Sequence, residues 1–311
     1  MNTPRDHGGG LDAAIAKWGG TRADWVDLST GINPVAYPVG SFAPDAWTAL
    51  PDRAAFDQLE QAARNLWNVP VDLDVIIAPG ASALIARIPA LAKAADVTIP
   101  APTYNEHAAA FVANGWQVHP NGPAKARVIV NPNNPDGRVW TAADAQADFC
   151  IIDESFGDVA PDTSLMACAQ TPNTIVLKSF GKFWGLAGMR LGFAIGRPET
   201  LAPLREAIGP WQVSGPALQT GATALADYNW AIATRARLAK DAAFLDQAMA
   251  PHGALVGGTS LFRLYQVPDA VAFQTRLAEQ KIWSRVFPYS KTWLRLGLPH
   301  PDQHTRISAA L

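Results

Sequence analysis

Between residues 74 and 196 the chain alternates short apolar, β-branched runs with helical stretches, the pattern of an α/β sheet. Val75–Ala78, Asp96–Ile99, Trp116–His119, Arg127–Asn131, Phe149–Asp153, Thr174–Lys178 and Leu191–Ile195 read as strands. Helices are expected from near Ser82 and over Thr103–Asn114. Upstream, Leu59, Ala62, Ala63, Leu66 and Trp67 recur at i, i+3, i+4, i+7 and i+8, which marks an amphipathic helix. Past Pro198 the pattern changes. The alanine-rich segment Pro216–Met249 reads as one long helix. Short strands at Ser260–Leu264, Ile282–Val286 and Trp293–Leu296 then alternate with helices. The expected organisation is an arm over residues 1–35 packing on the small domain, a large mixed-sheet α/β domain over 36–209, and a small C-terminal α/β domain over 210–311.

Composition narrows the function classes. With 25 basic and 27 acidic residues the net charge is −2, which gives no reason to expect nucleic acid. Any bound anion must be held by a local cluster of charge. The two cysteines, Cys150 and Cys168, have no paired metal-ligand spacing, so no metal is expected, and Cys150 reads as a small buried hydrophobe. Met1–Gly10 has no apolar core of a secretory signal, and the longest apolar stretch, Ala81–Ala95, is broken by Arg87 and Pro89. A soluble cytoplasmic protein with no membrane partner is the expectation.

The chemistry centres on Lys178-Ser179-Phe180-Gly181-Lys182-Phe183-Trp184-Gly185-Leu186-Ala187-Gly188-Met189-Arg190. Phe183 follows Lys182 where a phosphate-binding P-loop would need Ser or Thr, so that reading fails. A lysine ringed by Phe180, Phe183 and Trp184 would be desolvated, its pKa lowered and its amine nucleophilic. Arg190 adds a cation, and the small residues between let backbone approach a ligand. His7-Gly8-Gly9-Gly10 resembles an esterase oxyanion motif, but no G-x-S-x-G accompanies it.

This segment resembles the cofactor-lysine signature of class I/II aminotransferases, S-x-x-K followed by G-x-R-x-G, with Ser179, Lys182, Gly188, Arg190 and Gly192 in register. The resemblance implies the pyridoxal 5′-phosphate (PLP) fold type I. In it Lys182 carries PLP as a Schiff base and shuttles protons, and Ser179 and Arg190 hold the cofactor phosphate. Three further segments fit. Asn131–Gly137 matches N-P-x-N-P-x-G, so Asn134 is expected on the phenolic oxygen. Asp153 ends an apolar strand and is expected to keep the pyridine nitrogen protonated, improving the electron sink. Pro79-Gly80-Ala81-Ser82 opens a helix, so Ala81 and Ser82 are expected at the phosphate, with a plain Ser82 N-cap as the bland reading. Tyr104 is expected to stack on the ring. Where relatives read D-E-x-Y, this chain has Phe156, which leaves the phenolic contact to Asn134.

Both ends of the chain refine the branch. Arg295 matches the arginine that grips a substrate carboxylate, and Arg285 lies where the histidinol-phosphate aminotransferase branch meets a substrate phosphate. The early His7-Gly8-Gly9, the run Leu28–Pro34, Phe156, Thr259–Leu264 and Trp293–Leu298 resemble the threonine-phosphate decarboxylases of cobalamin biosynthesis. That resemblance implies a homodimer acting on a small phosphorylated amino acid, with His7, Asn33 and Arg285 on its phosphate and Arg295 on its carboxylate. Leu50 replaces a tyrosine that reaches a neighbouring subunit's PLP in the aminotransferase branch. The alternative is an aminotransferase of the histidinol-phosphate type. Both reactions can use the same lysine and arginine: the bond perpendicular to the cofactor ring breaks, and a tilt of the carboxylate decides which one that is.

Overall fold

The computed structural model describes residues 7–311. Of the arm expected over 1–35, residues 1–6 therefore lie outside the described ones. In chain order the elements are α1 (Leu11–Trp18), β1 (Val26–Asp27), α2 (Arg53–Trp67), β2 (Asp74–Ala78), α3 (Ala81–Arg87), β3 (Asp96–Thr98), α4 (Asn105–Ala113), β4 (Gln117–His119), β5 (Ala126–Val130), β6 (Phe149–Asp153), β7 (Thr174–Ser179) and β8 (Gly192–Gly196). There follow α5 (Pro198–Ile208), α6 (Gly215–Ala226), α7 (Tyr228–Met249), β9 (Ala254–Thr259), β10 (Phe262–Gln266), α8 (Ala270–Glu279), β11 (Ile282–Trp283), β12 (Arg285–Phe287), β13 (Ser290–Gly297) and α9 (His304–Ala310).

The chain divides into two compact units. One contains 36–134 and 138–231; the other contains the described residues up to Val35, 135–137 and 232–311. The division falls inside α7, at 231/232, and not at the expected 209/210. Its cause is packing: α6 lies along α2, and Gly221 lets them close, since a Cβ there would stand 2.9 Å from Leu59.

The larger unit is built on a seven-stranded sheet in the order β2-β8-β7-β6-β5-β3-β4. Every strand but β8 runs in one direction, because β8 pairs antiparallel with both β2 and β7. Apolar runs buried on both faces explain the parallel strands. Ile76, Val97, Val128, Ile151, Ile175 and Leu177 pack with Phe111, Trp116 and Phe149 into one core. In α2 the expected stripe is the buried face, with Leu59, Ala62, Ala63 and Trp67 turned inward.

The smaller unit carries the four-stranded antiparallel sheet β12-β13-β10-β9 and the parallel pair β1-β11. Here several expectations need correction. The single helix over Pro216–Met249 is two, broken at Asp227, whose side chain accepts the Trp230 N–H at 2.9 Å and so starts α7 afresh. The strand expected at Ser260–Leu264 crosses a turn between β9 and β10. That expected at Ile282–Val286 is split, β11 pairing with β1 and β12 with β13. Among the described residues no helix is long and apolar enough to cross a membrane.

Candidate active site

The parallel strands deliver their functional residues at one edge. Ala78, Gly192 and Ser179 are register partners across β2, β8 and β7, and Asp153 closes the adjacent β6. Ligands in α/β sheets gather at these carboxyl ends. Gly80, with φ +88°, turns the chain from β2 into α3. A Cβ on Gly80 would strike the Arg190 guanidinium, 2.9 Å from its Cζ, so glycine lets that cation lie against the start of α3. Arg190 itself is left-handed at φ 53°, a conformation that costs a non-glycine residue and suggests constraint. Ser82 is the second residue of α3; Gly80 is the N-cap, so the plain-cap reading of Ser82 is wrong. Its side chain instead hydrogen-bonds Tyr104.

Asp153 is 2% exposed. His107 Nε2 lies 2.8 Å from its Oδ2, and Ser155 donates to Oδ1 through Oγ at 2.5 Å and N–H at 2.9 Å. Burial pushes this carboxyl up, but the bonds from His107 and Ser155 outweigh that and hold it below the usual carboxylate range. Tyr104 caps α4, its ring edge-on to His107 at 6.1 Å; burial and then Asp153 push its hydroxyl up to about 12, so it stays protonated. His107 carries no motif signature. Its signal is position: three residues after Tyr104, on the same face of α4.

Lys182 is half-buried, its ammonium 5.5 Å above the Phe156 ring. Its flanking aromatics are core. Trp184 stacks on Phe180 at 5.6 Å and on Trp230 at 5.2 Å, and its indole N–H donates to Asp158 Oδ2 at 3.0 Å. Trp67 donates to the other oxygen of Asp158 at 2.9 Å. Beside it Lys178 pairs with Glu154 at 2.6 Å, both buried. This network was not legible in the sequence, because its members lie on α2, β7 and two loops. The loop bearing Asn134 is pinned by its neighbours: Asn131 donates to Thr163 O at 2.8 Å, and Asn133 to Pro102 O at 3.0 Å.

The smaller unit gathers the other candidates. Arg285 on β12 and Arg295 on β13 are directly opposed register partners. Arg285 donates to the His7 carbonyl at 2.7 Å, and Arg295 to the Ser29 carbonyl at 2.8 Å. Arg295 is 5% exposed, over Phe262 at 5.3 Å and Phe287 at 6.0 Å. Burial and then Arg285 pull its pKa down to about 10, so it remains a cation near neutrality. The His7-Gly8-Gly9 motif has a steric reason: a Cβ on Gly8 would collide with the Ser29 carbonyl and reach 3.6 Å from Arg295. His7 meets Arg285 through its main chain, and Asn33 is tied to Arg237 and Val35.

A buried anionic Asp153, a half-buried lysine and an arginine set against a helix start, all at one sheet edge, suit PLP in donor type: a pyridine nitrogen, an aldehyde and a phosphate. Fold and site together define a PLP-dependent enzyme of fold type I. The profile of the family Aminotransferase class I and II matches residues 119–310, and the chain belongs to that family. It is 39% identical to a threonine-phosphate decarboxylase of Sinorhizobium sp., covering 100% of this chain and 98% of that protein. A second threonine-phosphate decarboxylase, of Pseudomonas aeruginosa, is 36% identical, with 98% and 97% covered. The PLP complex of histidinol-phosphate aminotransferase from Sinorhizobium meliloti superposes with a TM-score of 0.82 at 18% identity, over 96% of this chain and 92% of that one.

Proposed function

We propose that this chain decarboxylates L-threonine O-3-phosphate to (R)-1-aminopropan-2-yl phosphate, serving cobalamin biosynthesis as a cytoplasmic homodimer. The observation that carries the reading is the opposed pair Arg285 and Arg295. Like charges facing each other across a strand pair are destabilising, so two cations here are best explained by a substrate with two anionic groups. The near full-length similarity to two threonine-phosphate decarboxylases supports the same substrate. Exposed Trp47 and Leu50 offer apolar surface for a subunit contact.

When bound, PLP supplies a sink for the electron pair released as the bond between Cα and the carboxylate breaks. Lys182 would hold the cofactor aldehyde, and its Nζ would deliver the proton that replaces carbon dioxide at Cα. Asp153, kept anionic by His107 and Ser155, would retain the proton on the pyridine nitrogen. Ala81, Ser82, Ser179 and Arg190 would hold the cofactor phosphate, Asn134 its phenolic oxygen, and Tyr104 its ring face. Arg295 would grip the substrate carboxylate through its planar fork, and Arg285, His7 and Asn33 the phosphate.

Incubating PLP-loaded protein with L-threonine O-3-phosphate, with and without 2-oxoglutarate, tests the reading by mass spectrometry. Carbon dioxide and the amino alcohol phosphate should form without the keto acid, and Lys182→Ala should form neither. Amino transfer from histidinol phosphate to 2-oxoglutarate without carbon dioxide would make the chain an aminotransferase.

A further inference from the structure

Asn33 is 2% exposed, and a buried carboxamide must present either its oxygen or its nitrogen to each neighbour. Its Oδ1 accepts from Arg237 Nη2 at 2.5 Å and from the Val35 backbone N–H at 3.1 Å. Both partners are obligate donors, so the oxygen must lie on that side. The nitrogen, which donates two hydrogens, is turned away from Arg237. Rotating the amide by half a turn would set NH₂ against a guanidinium and a peptide N–H. Arg237 is itself held: its other nitrogen, Nη1, donates to Asp241 Oδ2 at 2.7 Å, one turn along α7, and Asp241 is buried. The guanidinium thus bridges a fixed carboxylate and a fixed carboxamide, a geometry its planar fork allows and a lysine's point charge does not.

We infer that Arg237 is a positioning residue for substrate selection: with the Val35 N–H it holds the Asn33 amide oxygen, so that the amide's donor side faces the substrate phosphate. This rests on the proposed reading that Asn33 meets that phosphate. Asn33 by itself is indifferent to the sign of what it binds, since it carries both a donor and an acceptor. With its acceptor claimed by Arg237 and Val35, it selects anions. Arg237 would act through Asn33 and not on the phosphate, so its removal should change recognition without touching the chemical step.

The test is steady-state carbon dioxide release by the PLP-loaded enzyme with L-threonine O-3-phosphate and with L-threonine. Arg237→Met should raise KM for the phosphorylated substrate about 10- to 100-fold, the worth of a hydrogen bond to a charged group, with kcat little changed. The values for L-threonine should not move. Arg237→Met placed in an Asn33→Ala background should add no further loss, because both act through one contact. Asn33→Asp retains the acceptor for Arg237 but turns a second oxygen toward the phosphate, and should reject the phosphorylated substrate selectively. Should Arg237→Met fail to fold, Arg237→Lys supports the same comparison. If Asn33→Ala leaves KM for the phosphorylated substrate unchanged, the reading of Asn33 falls and the inference with it. If Asn33→Ala raises that KM while Arg237→Met and Arg237→Lys do not, or the losses add, the inference alone is overturned.

Discussion

Asp153 shows how a carboxylate stays charged without solvent. Two donors on Ser155 and one histidine surround it, and their hydrogen bonds outweigh the cost of burial. Its folded pKa lies below the ordinary value of 3.8, so its ionised form adds stability that is fully present above that pH. The contribution disappears as pH falls below 3.8 toward the folded value. Cofactor-free protein unfolded in urea at a series of acidic pH values should therefore lose stability over that window. Asp153→Asn should flatten this acid limb and lower kcat by roughly 10²–10³, the scale of one preorganised electrostatic contact. A variant with the wild-type acid limb would mean the carboxyl is not held ionised, and a near-normal kcat would remove it from the mechanism.

At the scale of elements, the turn from β2 into α3 works because Gly80 combines a positive φ with contact to Arg190. Gly80→Ala should weaken PLP binding at least about tenfold and destabilise the fold by about 1 kcal/mol or more. Gly188→Ala, with open space around its Cβ position, should leave both unchanged. Spectroscopic titration of PLP decides it, and equal affinities in the two variants would exclude the start of α3 beside Arg190 as the phosphate site. The contrast between these glycines is invisible in the sequence, where both are simply small. Legibility followed locality elsewhere too. The strand Phe149–Asp153 has the expected bounds, since an uninterrupted apolar run can only be buried on both faces. The break at Asp227 was hidden because alanine on both sides favours helix, and one capping side chain decided otherwise. The division of Ile282–Val286 between two sheets depends on partners far along the chain. Lys182, Arg190 and Asp153 were singled out by the resemblance to the family signature, whereas His107 and Asp158 enter only through contacts made on folding.

For the whole molecule, the residues assigned to PLP all fall in the unit of 36–134 and 138–231, which the cofactor should stabilise by mass action. At a hundredfold excess over Kd this is about 2.7 kcal/mol, or roughly 5–10 °C in Tm for a unit of this size. Calorimetry of holo and apo protein should show that separation; coincident melts would mean the cofactor is not bound in the folded unit. The opposed arginines also bear on the end of the catalytic cycle. On the proposed reaction the substrate arrives with a carboxylate and a phosphate, and the product keeps only the phosphate. When carbon dioxide departs, Arg295 would lose its counter-ion while still buried beside a second cation. The phosphate would still offset Arg285, but the contact with Arg295 would be gone, so the product would be held less firmly than the molecule it came from. On that reading, the pairing that burdens the empty protein would also favour release of the product.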